Sequence, residues 1–333
     1  MKYTALLVSF FVSFTASTQI KNFMFIGMER EQLKDTSKWA TNGLFEGVQI
    51  AYSWKQLERE KDNYDFSMIY EDLNLLNKYG KKLFIQIQDV SFSIKRNHAP
   101  NYIMNDTAYH GGANKQYKFR NNNEADSSEL GWVTRRWDSA VQERLHKFYL
   151  VLGKQFDGVV EGINTEESSA SFGRGLLHPP GYSPRRYKDA IIENLDILKK
   201  AFQHSTVIAY ANFMPGDYTP GADTSLLKAV YEYCMANNIG VGGPDLLPYH
   251  PWQMKNSYVL IRNSYKKIAS GVAVQDGTGD YINPQTKKPI SAEEIYRFAE
   301  DYLRLTYIFW GTEEPFFHNE IIPFLQSLKK AAK

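Results

Sequence analysis

The chain has one cysteine, Cys234, in 333 residues, so no disulfide can form within it. It also lacks net charge of either sign: the formal value is +2, and lysine pairs such as Lys81-Lys82, Lys199-Lys200 and Lys329-Lys330 are scattered rather than gathered. Nucleic-acid binding needs a concentrated basic face, so no nucleic-acid partner is expected. The seven histidines show no His-x-His or His-x-x-x-His spacing, and no metal or other cofactor is expected. A Gly-x-Ser-x-Gly elbow is missing, which removes the usual serine-hydrolase reading. No Gly-x-Gly-x-x-Gly follows the first β-rich run; Gly27-Met28-Glu29-Arg30 stands there instead. Beyond the N-terminus no apolar run reaches the ~20 residues that a bilayer-spanning helix requires.

What is present is a large apolar inventory. Hydrophobic residues make up 43% of the chain and aromatic ones 14%, enough to bury a core and too much for disorder. Lys2, the apolar run Ala5–Phe14 and the small residues Thr15, Ala16 and Ser17 have the order of a secretory signal. Residues 1–17 are therefore expected to be removed on export, leaving a secreted or periplasmic protein, a monomer without a membrane-spanning segment. Cys234 lies in a helical pattern and reads as a buried apolar side chain.

From residue 22 onward, short β-rich runs alternate with amphipathic patterns. The runs are Phe23–Met28, Gly47–Tyr52, Lys82–Gln88, Val159–Asn164, Thr206–Asn212, Ile239–Gly243, Gly271–Gln275 and Thr306–Trp310. Helix starts are visible at Asp65-Phe66-Ser67, at Ser183-Pro184 and at Ser291 with Glu294. Near-continuous apolar strands joined by helices predict a parallel sheet covered on both faces. Eight such strand–helix units predict one closed (β/α)8 TIM barrel over residues 20–332. An open doubly wound sheet is the alternative. The Gly240–Gly243 run falls inside a strand and reads as close backbone packing rather than a phosphate cradle. The segments after strands 3 and 4 are long, and both follow strand C-termini, where they would wall a groove.

Polar residues gather at one end of these apolar strands. Strand 2 leads into Trp54, strand 3 ends in Gln86-Ile87-Gln88-Asp89 and strand 4 in Asn164-Thr165-Glu166-Glu167. Strand 5 ends in Asn212, strand 6 leads to Asp245, strand 7 to Gln275-Asp276, and strand 8 to Trp310. Converging buried amides need partners, either one another in an internal plug or a ligand rich in hydroxyls. Amides, acids and indoles together suit a sugar. Cleavage of a glycosidic bond needs two carboxyl groups, one to protonate the leaving oxygen and one to serve as nucleophile or base. Glu167 is the expected acid, with Glu166 as the alternate, and Asp276 is the expected partner. Gln88, Asn164, Asn212 and Gln275 are expected to hold hydroxyls, with Trp54 and Trp310 as floors of subsites.

These residues resemble the (β/α)8 glycoside hydrolases of the clan A type, across essentially the whole chain after residue 20. In that grouping the acid follows an asparagine at the end of strand 4, the nucleophile ends strand 7 and a tryptophan ends strand 8. Asn164 with Glu166 and Glu167, and Trp310, fit the first and third places. The stretch Trp54 to Phe66, with Leu57-Glu58 and Tyr64-Asp65-Phe66, is similar to a phrase found after strand 2 in barrels acting on β-linked sugars. Two departures stand out: one or two residues separate the asparagine from the glutamates, and Gln275 followed by Asp276 replaces the strand-7 glutamate. The resemblance implies an exported glycosidase acting on an oligo- or polysaccharide. A carbohydrate-binding barrel without catalysis, suggested by Gln275, and a polysaccharide lyase using Arg96, Arg120 or Arg174 are the other readings.

Overall fold

A computed structural model of the chain describes residues 19–41, 43–120, 123–173, 175–215, 225–275 and 277–331. The expected leader at residues 1–17, together with Arg174 and Asp276, lies outside them. Eight parallel strands form a closed barrel in chain order. They are β1 (Lys21–Phe25), β2 (Gly47–Ser53), β3 (Lys82–Gln88), β4 (Gly162–Thr165), β5 (Thr206–Tyr210), β6 (Gly240–Gly243), β7 (Ser270–Val274) and β8 (Tyr307–Gly311). β1 pairs with both β2 and β8, which closes the ring.

Strand alternation sorts the side chains into two cores. Phe23, Phe84, Ile208, Tyr210, Ala273, Tyr307 and Phe309 point inward and fill the barrel. Their outward neighbours, among them Met24, Ile85, Val272, Ile308 and Trp310, pack beneath the helices. Each large apolar side chain so buried contributes about 1.5–3 kcal/mol. The inner rings fit because glycines face them: a Cβ on Gly162 would stand 2.6 Å from the Phe84 ring. A Cβ on Gly242 would lie 1.8 Å from the Gly271 carbonyl oxygen. The Gly240–Gly243 run is thus explained by the close approach of β6 and β7.

The helices that follow β2 to β5 are α1 (Ser67–Lys78), α2 (Ser139–Phe156), α3 (Pro184–Ala201) and α4 (Ser225–Ala236). Cys234 is buried in α4. After β6 come α5 (Pro251–Lys255) and α6 (Ser257–Asn263), after β7 α7 (Ala292–Arg297), and after β8 α8 (Ile322–Ala331). The start signals work as local chemistry requires. Asp65 Oδ1 accepts the Ser67 N–H at 3.0 Å, Ser183 Oγ accepts the Arg186 N–H at 3.1 Å, and Ser291 and Glu294 cap each other reciprocally.

Two features differ from the sequence reading. β1 is followed not by a helix but by a 3-10 turn, Arg30–Lys34. The barrel is covered there by an irregular stretch that buries Leu33, Trp39, Leu44 and Phe45, with Trp39 edge-on to Tyr79 at 5.3 Å. The long segment after β3 is also built rather than open. Val90–Ser91, Ala113–Arg120 and Asn123–Thr134 form a three-stranded antiparallel sheet beside the barrel mouth. At the opposite, N-terminal end of the barrel, Glu161 accepts from Lys21 Nζ at 2.6 Å and from the Tyr307 hydroxyl at 2.9 Å. Glu161 therefore serves a structural pairing at the end of the barrel away from the cleft. No helix among the described residues is long and apolar enough to cross a membrane.

Candidate active site

The polar residues at the strand C-termini lie at different depths. Asn164 is the deepest: it is fully buried, its Oδ1 accepts from Gln49 Nε2 at 2.8 Å, and its Nδ2 donates to the Thr165 carbonyl at 3.0 Å. Gln49 Nε2 also donates to the Tyr210 hydroxyl at 3.1 Å. Asn164 is therefore a member of an internal plug, and its expected role as a hydroxyl ligand does not fit this structure. Asn212 is buried as well. Its Nδ2 donates to Glu167 Oε2, and its Oδ1 accepts the Phe213 N–H at 3.0 Å, so it positions a carboxyl group instead of facing a sugar.

One layer higher, three half-buried carboxyl groups meet: Glu166 and Glu167 from the exit of β4, and Asp245 from the exit of β6. Burial, followed by the charges of Glu166 and Asp245, holds the Glu167 carboxyl well above the usual range, against the pull of Asn212 and Arg136. Burial and the Asp89 carboxylate push Glu166 up to about 8, while Arg136, the Glu167 N–H and Gln88 oppose the shift. Asp245 is raised by burial to about 6. At neutral pH the cluster therefore combines a carboxylate with groups that still carry protons.

Arg136, the cation whose charge acts on both glutamates, is already engaged. Arg136 is buried against Asp89, with its Nε 2.7 Å from Asp89 Oδ2 and a second contact to Oδ1. Its remaining nitrogen donates to the Glu167 carbonyl and to the Tyr187 hydroxyl, both at 3.1 Å. A bidentate buried pair of this kind fixes the backbone at the exit of β4 and leaves the carboxyl cluster without a full counter-charge.

Glu166, Gln88 and Gln275 line a cleft of about 1010 Å³ at this face, together with Glu313. One carboxyl oxygen of Glu166, Oε2, is buried with no hydrogen-bond partner. A buried acceptor left in that state is costly unless a ligand or a proton completes it. Most of the cleft's lining comes from the segments after β1, β2 and β3, with the ends of β4, β7 and β8 completing it. No group of three or more His, Cys, Asp or Glu side chains that could hold a metal occurs among the described residues.

The two tryptophans expected to floor subsites do not face this cleft. Both are 0% exposed. Trp310 alternates with the inward Phe309, so it points outward under the helices, where its Nε1 donates to Asn22 Oδ1 at 2.9 Å. Trp54 packs on Phe148 at 6.0 Å and donates through Nε1 to Glu58 Oε2 at 2.8 Å. Glu58 in turn accepts from Arg144, and Tyr64 stacks on Phe66 at 6.1 Å. The phrase from Trp54 to Phe66 is thus a structural clasp between the loop after β2 and α2. Asp276, the expected second carboxylate, lies outside the described residues. Asp245 is the group that sequence reasoning left undecided; its signal was its place directly beyond a strand end.

No family model matches the sequence, and no curated protein matches it. Solved structures do. A β-galactosidase from the Antarctic haloarchaeon Halorubrum lacusprofundi aligns with 87% of this chain at 12% identity and a TM-score of 0.54. This chain spans about half, 52%, of that protein's length. The catalytic domain of a β-amylase from Paenibacillus polymyxa aligns over 95% of this chain and 99% of its own, at 12% identity and a TM-score of 0.52. A β-galactosidase from Bacillus circulans sp. alkalophilus aligns over 94% of this chain and 56% of its own, at 9% identity and a TM-score of 0.58. At such identities the likeness is one of fold: this chain carries the same closed (β/α)8 barrel as these glycoside hydrolases.

Proposed function

We propose that the protein is an exported glycoside hydrolase that cleaves an oligo- or polysaccharide. The observation that carries this reading is the carboxyl cluster at the C-terminal mouth of the barrel, whose members lose their protons at different pH. Hydrolysis of a glycosidic bond asks for such an uneven pair: a protonated acid for the leaving oxygen and a carboxylate for the anomeric carbon or its attacking water. Glu167, whose carboxyl is held well above the usual range and is positioned by Asn212, is the acid. Asp245, which ionises first, is the carboxylate available among the described residues. Arg136 holds the chain carrying the acid through the Glu167 carbonyl. The fold shared with β-galactosidases and a β-amylase supports the reading.

Glu166 is the second candidate for the acid, favoured by its place in the cleft lining and its unpartnered Oε2. The test is to compare Glu167→Gln with Glu166→Gln on natural glycosides and on glycosides with a nitrophenol leaving group. Loss of the acid should lower the rate on natural substrates by about 10²–10⁴-fold and spare much of the rate on the activated ones. Full activity in Glu167→Gln with loss in Glu166→Gln would transfer the role. Full activity in both would remove the reading altogether.

A further inference from the structure

Four cations line one wall of the cleft that Glu166 also lines: Lys55 and Arg59 from the loop after β2, and Lys95 and Arg96 from the loop after β3. Elsewhere in the molecule the arginines closest to the barrel are spent on acids, Arg30 on Asp72, Arg136 on Asp89 and Arg144 on Glu58. Among the described residues, none of the four in the cleft forms an ion pair, although Arg59 lies near enough to Asp65 to act on its charge. Phe92 stands on the same wall and is 44% exposed, an open ring where Trp54 and Trp310 offer none. The acids of the cleft lie elsewhere: Glu29 after β1 accepts from Gln32, Glu313 after β8 accepts the Gly277 N–H, and Glu166 is at the mouth of β4. The loops over β2 and β3 therefore present cations, and the acids come from the flanking β1 and β4 and from β8.

His98 also lines the cleft. Burial lowers its ring to about 4, with the Asp89 charge opposing and the Arg96 and Lys55 charges adding to the shift, so it is neutral and adds no charge of its own. Arg59, Lys95 and Arg96 are exposed and Lys55 is half-buried, so solvent screens these unpaired charges, and an anionic ligand in the cleft would meet them without first breaking an ion pair.

We propose that the cleft takes an acidic sugar chain, one whose units carry a carboxylate or sulfate group, with the anionic groups against Lys55, Arg59, Lys95 and Arg96 and a sugar ring against Phe92. This rests on the glycosidase reading for the place of the cleft but makes a separate claim about the ligand. The stacking of a ring's C–H face on Phe92 holds for any sugar; the four cations select the charged ones.

The test measures binding by the full chain to matched sets of oligosaccharides: each neutral chain, its C6-oxidised uronate form and its 6-O-sulfated form, with a single-stranded oligothymidylate as a polyanion control. The anionic member of at least one set should bind roughly tenfold tighter than its neutral partner at low ionic strength, and the difference should shrink with added salt. The uronate and sulfate forms identify the source of the charge by which of them binds more tightly. The double variant Lys95→Gln/Arg96→Gln should bring the anionic ligand towards the affinity of the neutral one and leave the neutral one unchanged. Neutral chains bound as tightly as charged ones, no charged chain bound, a preference that survives the double variant, or equal binding of the oligonucleotide would each overturn the proposal. If charged chains bind through this wall but remain intact on long incubation, the hydrolase reading fails and the ligand assignment stands.

Discussion

Replacing Glu166 by glutamine should stabilise the protein in alkali and leave it unchanged in acid. The carboxyl ordinarily ionises near 4.5 but holds its proton up to about 8 here, because burial and the Asp89 charge oppose the anion. Between those two values the folded state binds more protons at this site than the unfolded state does, so wild-type stability falls as pH rises through the window. At 1.36 kcal/mol per pH unit the full penalty is about 5 kcal/mol, and partial exposure of the group reduces it to about 2–4 kcal/mol. Glutamine cannot ionise and keeps the shape. In urea titrations the two proteins should have the same midpoint at pH 4, separate progressively above pH 5, and reach a constant difference above pH 8, the variant being the more stable. A variant that is less stable at every pH, or a difference that does not change with pH, would refute the account of the carboxyl cluster.

Other consequences follow from the same geometry. The acid limb of kcat/KM should lie near pH 6, where Asp245 gains a proton, and Asp245→Asn should remove the activity along with that limb. Trp310→Phe should lower stability by about 1 kcal/mol through loss of the bond to Asn22 and leave KM unchanged, because the ring never reaches the cleft. Arg136→Met should destabilise by about 3–5 kcal/mol by leaving Asp89 buried and unpaired, and Arg136→Met/Asp89→Asn should recover part of that loss in thermal unfolding.

The barrel is legible because its strands are apolar runs and its helices begin with explicit caps, such as Ser183 and the Ser291–Glu294 box. The first crossover was misread because Leu33, Trp39 and Phe45 bury themselves without a helical period, as irregular coverage does. Trp310 could have been placed: Tyr307 and Phe309 face inward, and alternation then turns residue 310 outward. Trp54 could not, since Glu58 and Phe148 take it from the cleft and Phe148 lies on a distant helix. Asn164 has the parity that its sequence suggests, but its depth is set by Gln49 on another strand. Asp245 matters because it is buried and its charge acts on Glu167 from β4, a convergence that appears only when the ring closes.

The central claim is that this mouth adds water across a glycosidic bond, and the most direct measurement is turnover of the bound glycan in ¹⁸O-labelled water. Hydrolysis places one solvent oxygen on the anomeric carbon of each new reducing end, and Glu167→Gln should suppress that signal on natural substrates. Cleavage that leaves a carbon–carbon double bond and no solvent oxygen at the anomeric carbon, or a glycan that stays whole, would contradict it.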